Sequence, residues 1–120
     1  MSHKSGQHLI DEAKPRIREL TPREVREKRA RGDDAVYLDV REPNEWNLGR
    51  IPGALFIPRG NLETRIEAAV PRDREIVVYC ARGNRSALAA DTLRQMGYEN
   101  VSSMSGGWTE WVQSGGDVEG

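Results

Sequence analysis

Cys80 is the only cysteine in the chain, and Ala81-Arg82-Gly83-Asn84-Arg85-Ser86 after it form a glycine-bearing turn with two arginines. A short apolar run, Ile76-Val77-Val78-Tyr79, leads into the cysteine, and Ala87-Leu88-Ala89-Ala90 follows the turn. That order reads as a buried strand, a tight loop and the start of a helix, with a thiol at the junction. In an open parallel sheet, ligands sit beyond the carboxyl ends of the strands, which is where Cys80 falls. Gly83 permits the dihedrals of a backbone nest, so successive N–H groups can point at one anion. The following helix adds the positive end of its dipole, and Arg82 and Arg85 add full charges. Each of these effects favours thiolate over thiol, so the stretch reads as a nucleophilic, anion-binding site. The alternative is a structural cysteine capping a hydrophobic strand, the ordinary fate of a lone free cysteine. The cationic, glycine-bearing turn weighs against it.

The elements that must hold this loop follow from the rest of the chain. Residues 1–6 read as a disordered tail, and Gln7–Lys14 as a short amphipathic helix ending before Pro15. Ile17–Leu20 reads as a strand. Thr21-Pro22-Arg23-Glu24 then supplies an N-cap, an N1 proline and an N3 glutamate for a helix running to about Arg31 and stopping at Gly32. Ala35–Val40 is a second strand with Asp39 near its carboxyl end. Arg41–Trp46 begins a helical turn, and Gly49–Ala54 is a loop leading to a third strand over Ala54–Ile57. A helix with Leu62, Ile66 and Ala69 on its inner face comes next, then the central strand at Glu75–Tyr79. The strongest helix spans Arg85–Met96, with Ala89, Leu93 and Met96 inward and Gly97 as its stop. Val101 marks a last strand, Trp108–Ser114 a last helix, and Gly115–Gly120 is expected to fray. Strands alternate with helices, which predicts an α/β fold with a mainly parallel sheet and helices on both faces.

Composition narrows the function classes. At 120 residues the chain fits one domain with one core. The parts are a tail and short helix at 1–16, a domain at 17–117 and a tail at 118–120. Its 18 basic and 19 acidic residues nearly cancel, so charge gives no push toward nucleic acid or a membrane surface. A single cysteine excludes an internal disulfide, a CxxC pair and a multi-cysteine zinc site. His3 and His8 lack metal-ligand spacing, and no metal or other cofactor is expected. The N-terminus has no apolar export segment and nothing approaches a membrane span, so the expected setting is a reducing cytoplasm.

The residues carrying the argument resemble the rhodanese (thiosulfate sulfurtransferase) family in its single-domain form, over about residues 17–117. Asp39-Val40-Arg41-Glu42, Glu45-Trp46 and Gly49-Arg50-Ile51-Pro52-Gly53-Ala54 are similar to the family's DVRE, E-aromatic and GHIPGA stretches. Cys80–Ser86 is similar to its active loop, and Ser105-Gly106-Gly107-Trp108 to its late glycine pair. The resemblance implies a three-layer fold with a central five-stranded parallel sheet flanked by helices. It also implies double displacement: Cys80 takes sulfane sulfur from thiosulfate or a similar donor as a persulfide. The sulfur then passes to cyanide, a small thiol or a protein thiol. The cradle falls on residues 81–86, with Arg82 and Arg85 neutralising thiosulfate and sulfite. Asp39 and Arg41 are implied to shape the pocket as an ion pair. Trp46 is left between a pocket wall and a core or edge-packing role, and Trp108 and Trp111 are expected in the core.

Two positions depart from the family pattern. Arg50 replaces the histidine of GHIPGA, which should alter local packing, and Ala81 stands where many thiosulfate-specific members carry arginine. Cysteine phosphatases and arsenate reductases need an arginine six positions after the cysteine. Here the sixth residue is Ser86 and Arg85 is the fifth, which leaves a loop one residue short for phosphate. A further alternative is a persulfide carrier or partner-binding module that uses the same Cys80.

Overall fold

The structure is a computed structural model, and it describes residues 3–120. Five strands, β1 (Arg18–Leu20), β2 (Val36–Asp39), β3 (Leu55–Phe56), β4 (Ile76–Tyr79) and β5 (Val101–Met104), form one parallel sheet in the order β1-β5-β4-β2-β3. Among the described residues there are six α-helices: α1 (Gly6–Ala13) precedes β1, α2 (Pro22–Ala30), α3 (Pro43–Leu48), α4 (Leu62–Ala69) and α5 (Asn84–Gln95) join successive strands, and α6 (Gly107–Gln113) follows β5. The central place of β4 explains its unbroken apolar sequence, since all four of its residues are buried. Its side chains alternate between two cores. Ile76, Val78 and Cys80 join Leu62 and Ile66 of α4 and Ala89 and Leu93 of α5. Val77 and Tyr79 join Val25 of α2 and Trp111 of α6 on the other face. Helices thus cover both faces of the sheet, as expected.

Local signals place the elements well. Thr21 accepts the Glu24 N–H while Glu24 Oε1 accepts the Thr21 N–H, a complete capping box with Pro22 at N1. Gly97 follows α5 in the left-handed region at φ 97°.

Several expectations are corrected. The N-terminal tail is shorter than expected, because Ser5 caps α1 by accepting the His8 N–H at 3.0 Å and Gly6 is already helical. The rest of the 1–6 expectation, Met1 and Ser2, lies outside the described residues. On α4, Ala69 is exposed and Val70 is buried in its stead, because the helix ends and the extended backbone at Val70 turns its side chain inward. Met96 is only partly buried against the core. The end of the chain does not fray: Arg50 and Glu119 exchange two backbone hydrogen bonds of 2.8 Å, and Trp111 Nε1 donates to the Asp117 carbonyl at 2.8 Å.

Candidate active site

Strand β4 delivers Cys80 to the carboxyl edge of the sheet, where its side chain is 1% exposed. The chain then turns through Gly83, whose φ of 99° lies in the left-handed region and whose missing Cβ leaves room for the Gly106 amide. This turn aims two backbone donors at one atom: the N–H groups of Gly83 and Ser86 lie 3.1 Å and 3.3 Å from Cys80 Sγ. Asn84 and Arg85 belong to the first turn of α5, whose N–H groups have no acceptor within the helix. The same helix end directs its positive dipole toward the sulfur. Ala81 and Asn84 contribute backbone to the loop, one half-buried and the other exposed.

Two buried hydroxyls stand behind the sulfur. The Cys80 thiol donates to Ser86 Oγ at 3.5 Å, and Ser86 Oγ lies 2.8 Å from Ser103 Oγ on β5. Ser86 and Ser103 are both fully buried. The loop is braced from outside by α6, where the Trp108 N–H donates to the Cys80 carbonyl at 2.8 Å and the Thr109 N–H to the Ala81 carbonyl at 3.0 Å. Gly107 makes this approach possible. Its φ is 58°, and a Cβ there would collide with the Cys80 carbonyl oxygen.

The two loop arginines differ. Arg82 is exposed. Arg85 reaches across to α3 and binds Glu45 with both nitrogens, Nη1 to Oε1 at 3.0 Å and Nη2 to Oε2 at 3.2 Å. Glu45 Oε1 also accepts the Glu42 N–H at 2.9 Å. The Arg85 hydrogen bonds hold the Glu45 carboxyl below the usual carboxylate range, and Glu45 in turn holds the guanidinium above its ordinary value. Glu45 is therefore a standing negative charge beside the loop and not a proton donor at neutral pH.

Asp39 and Arg41 form an ion pair, 0% and 2% exposed, at the end of the strand next to β4. Arg41 also donates to the Gly49 carbonyl at 2.7 Å, and its guanidinium lies 4.7 Å from the centre of the Trp108 ring. The pair thus supports Trp108, the residue whose N–H holds the Cys80 carbonyl. Burial, and then the charge of Asp39, push the Tyr79 phenol up, so it stays neutral while accepting the Ile51 N–H at 3.1 Å.

Trp46 lies against the edge strand β3. It stacks on Phe56 with ring centres 4.9 Å apart, and Arg50 lies over its ring at 4.5 Å. Arg50 also donates to the Trp46 carbonyl at 3.1 Å, so the residue in the family's histidine position clamps α3 and the C-terminal segment together. Trp111 is in the core at 1% exposure, whereas Trp108 is half-buried.

Of the expected site residues, the structure sets the Gly83 and Ser86 N–H groups against Cys80 Sγ; Glu45 and Ser103, which also meet the loop, were not read from the sequence. Glu45 stood inside a quoted motif with no role. Ser103 had one available signal, a pair of serines, Ser102-Ser103, in a strand where every residue is buried.

The family model described as Rhodanese-like domain matches residues 21–114. A sulfurtransferase of Allochromatium vinosum is 33% identical over 99 residues, which is 82% of this chain and 92% of that protein. A thiosulfate sulfurtransferase of Pseudoalteromonas translucida is 35% identical over 79 residues, 66% of this chain and 74% of that one. A solved structure from Rhodopseudomonas palustris, described as a protein of unknown function and possible tyrosine phosphatase, matches with TM-score 0.90 at 35% identity. That match covers 99% of this chain and 97% of the other. No helix among the described residues is long and apolar enough to cross a membrane. With its parallel sheet, its cysteine loop at the carboxyl end of β4 and a family match over most of its length, the chain belongs to the rhodanese-like domain family.

Proposed function

We propose that this chain transfers sulfane sulfur through a persulfide on Cys80, with thiosulfate or a similar donor. The observation that carries the reading is the convergence of the Gly83 and Ser86 N–H groups on Cys80 Sγ. Donors aimed at the sulfur favour its anion and remain in place for the negative charge of a persulfide. In the first step the Cys80 thiolate attacks the outer sulfur of thiosulfate. A new S–S bond forms, the donor's S–S bond breaks, and sulfite departs with its electron pair. In the second step cyanide, a small thiolate or a protein thiolate attacks the terminal sulfur, and Cys80 leaves as thiolate. The acceptor must come from outside, because Cys80 has no partner cysteine in this sequence. Arg82 at the rim offsets donor charge, and the reaction suits a reducing, cytoplasmic setting in which a lone thiol stays reduced.

Phosphate ester hydrolysis is a second reading, raised by the description of the R. palustris structure. Two features oppose it. The Arg85 guanidinium is turned to Glu45, and Glu45 itself is held ionised by that contact. A carrier role, in which the persulfide is released only to a partner protein, uses the same first step.

Incubating the protein with thiosulfate and measuring its intact mass tests the reading. The expected result is a gain of about 32 Da, one sulfur atom, that cyanide removes as thiocyanate and that Cys80→Ser lacks. Turnover of para-nitrophenyl phosphate without any sulfur uptake would replace this reading with the phosphatase one. Sulfur uptake without release to cyanide or small thiols would favour the carrier.

A further inference from the structure

Arg85 is the cation nearest in sequence to the Ser86 amide that touches the sulfur, yet its charge is already answered. Both of its terminal nitrogens are on Glu45, 40 residues away, and Glu45 is fixed in turn by the Glu42 N–H at the start of α3. The two side chains are only partly exposed, at 36% and 28%, so solvent screens the pair incompletely. Arg85 directly precedes Ser86, whose N–H lies 3.3 Å from Cys80 Sγ, so the pair is attached to the loop that holds the reacting sulfur. Of the two arginines in the cysteine loop, Arg82 is exposed, whereas the charge of Arg85 is already met by a carboxylate.

We infer that Glu45 is a specificity-determining residue that, by holding Arg85, biases the site away from doubly charged sulfane-sulfur donors and toward singly charged ones. This inference rests on the sulfur-transfer reading and refines its donor class. The chemistry is the same for either donor. With a thiosulfonate, the Cys80 thiolate takes the outer sulfur, the S–S bond of the donor breaks, and a sulfinate leaves with the electron pair in place of sulfite. Only the charge that the site must accept differs.

The test compares kcat/KM for thiosulfate, a dianion, with kcat/KM for methanethiosulfonate, a monoanion, in the full chain. Glu45→Gln keeps a hydrogen-bonding oxygen for Arg85 and removes the charge. The ratio of thiosulfate to methanethiosulfonate should rise about fivefold, the scale of one partly screened charge. Arg85→Gln should move the ratio the other way, because Glu45 is then left unanswered, and the double variant should return toward the parent. Glu45→Asp retains the charge and should leave the ratio within about twofold, which separates charge from shape. If Glu45→Gln does not fold, the fall in the ratio for Arg85→Gln decides the matter. Turnover of both donors with a ratio unmoved by Glu45→Gln or Arg85→Gln would overturn the inference and leave sulfur transfer standing. Absence of transfer from either donor in the parent protein would overturn both.

Discussion

Arg41 and Asp39, separated by one residue in sequence, close a buried ion pair with three side-chain contacts: Nη2 to Oδ2 at 2.7 Å, and Nε to Oδ1 and Oδ2 at 3.0 Å and 3.1 Å. The Arg41 N–H adds a fourth hydrogen bond to Oδ1 at 2.9 Å, so the carboxylate is well answered despite its burial. Its partner Arg41 then carries the support outward, through Gly49 and Trp108, to the back of the cysteine loop.

Removing one charge from this pair should be expensive. Arg41→Met keeps volume but strands the Asp39 carboxylate, and the expected loss is about 3–5 kcal/mol, read as a lower urea midpoint at unchanged slope. The double variant Asp39→Asn with Arg41→Met should recover part of that loss, since no unpaired charge remains.

Gly107→Ala tests the brace between α6 and the loop. The residue combines a φ of 58° with a Cβ position occupied by the Cys80 carbonyl oxygen. The expected cost is at least about 2 kcal/mol in urea unfolding, together with a fall in sulfur-transfer kcat/KM as the loop is pushed away from α6.

The Glu45–Arg85 pair should leave a mark on the pH dependence of stability. The carboxyl of Glu45 is lowered from 4.5 chiefly by the Arg85 hydrogen bonds, so the folded value lies below the unfolded one. Its contribution is complete above the ordinary glutamate range and is lost as pH falls through the lowered folded value. Urea unfolding of the parent and Glu45→Gln should therefore differ by up to about 1 kcal/mol at neutral pH, with the gap closing on acidification.

Arg82 is exposed at the rim, so its effect should be electrostatic and screened. Arg82→Ala should lower kcat/KM for thiosulfate about fivefold at low salt, mainly through KM. The difference should shrink as ionic strength approaches about 0.5 M.

Much of this molecule is legible because its signals are local. Thr21, Pro22 and Glu24 act within one helical turn, and the capping box forms as read. Ile76–Tyr79, Gly83 and the alanines after Ser86 are contiguous, and a strand, a left-handed turn and a helix follow one another as their composition requires. The cysteine loop could be found without coordinates, since a chain of that order must set Cys80 beside the helix start.

What tertiary structure alone decided are the pairings between residues far apart in sequence. Whether Arg85 would face a donor or Glu45 depended on where α3 lies against α5. Ser103 reached Ser86 because β5 runs beside β4, a neighbour relation set by strand order and register. Arg50 held the last residues through Glu119, which turned an expected loose end into a bridge. Sequence by itself determined that Cys80 would sit in a nest of backbone donors, because dihedral preferences and capping act over a few residues. Which charges surround that nest was decided by packing, because side chains brought together by the sheet choose partners by distance in space.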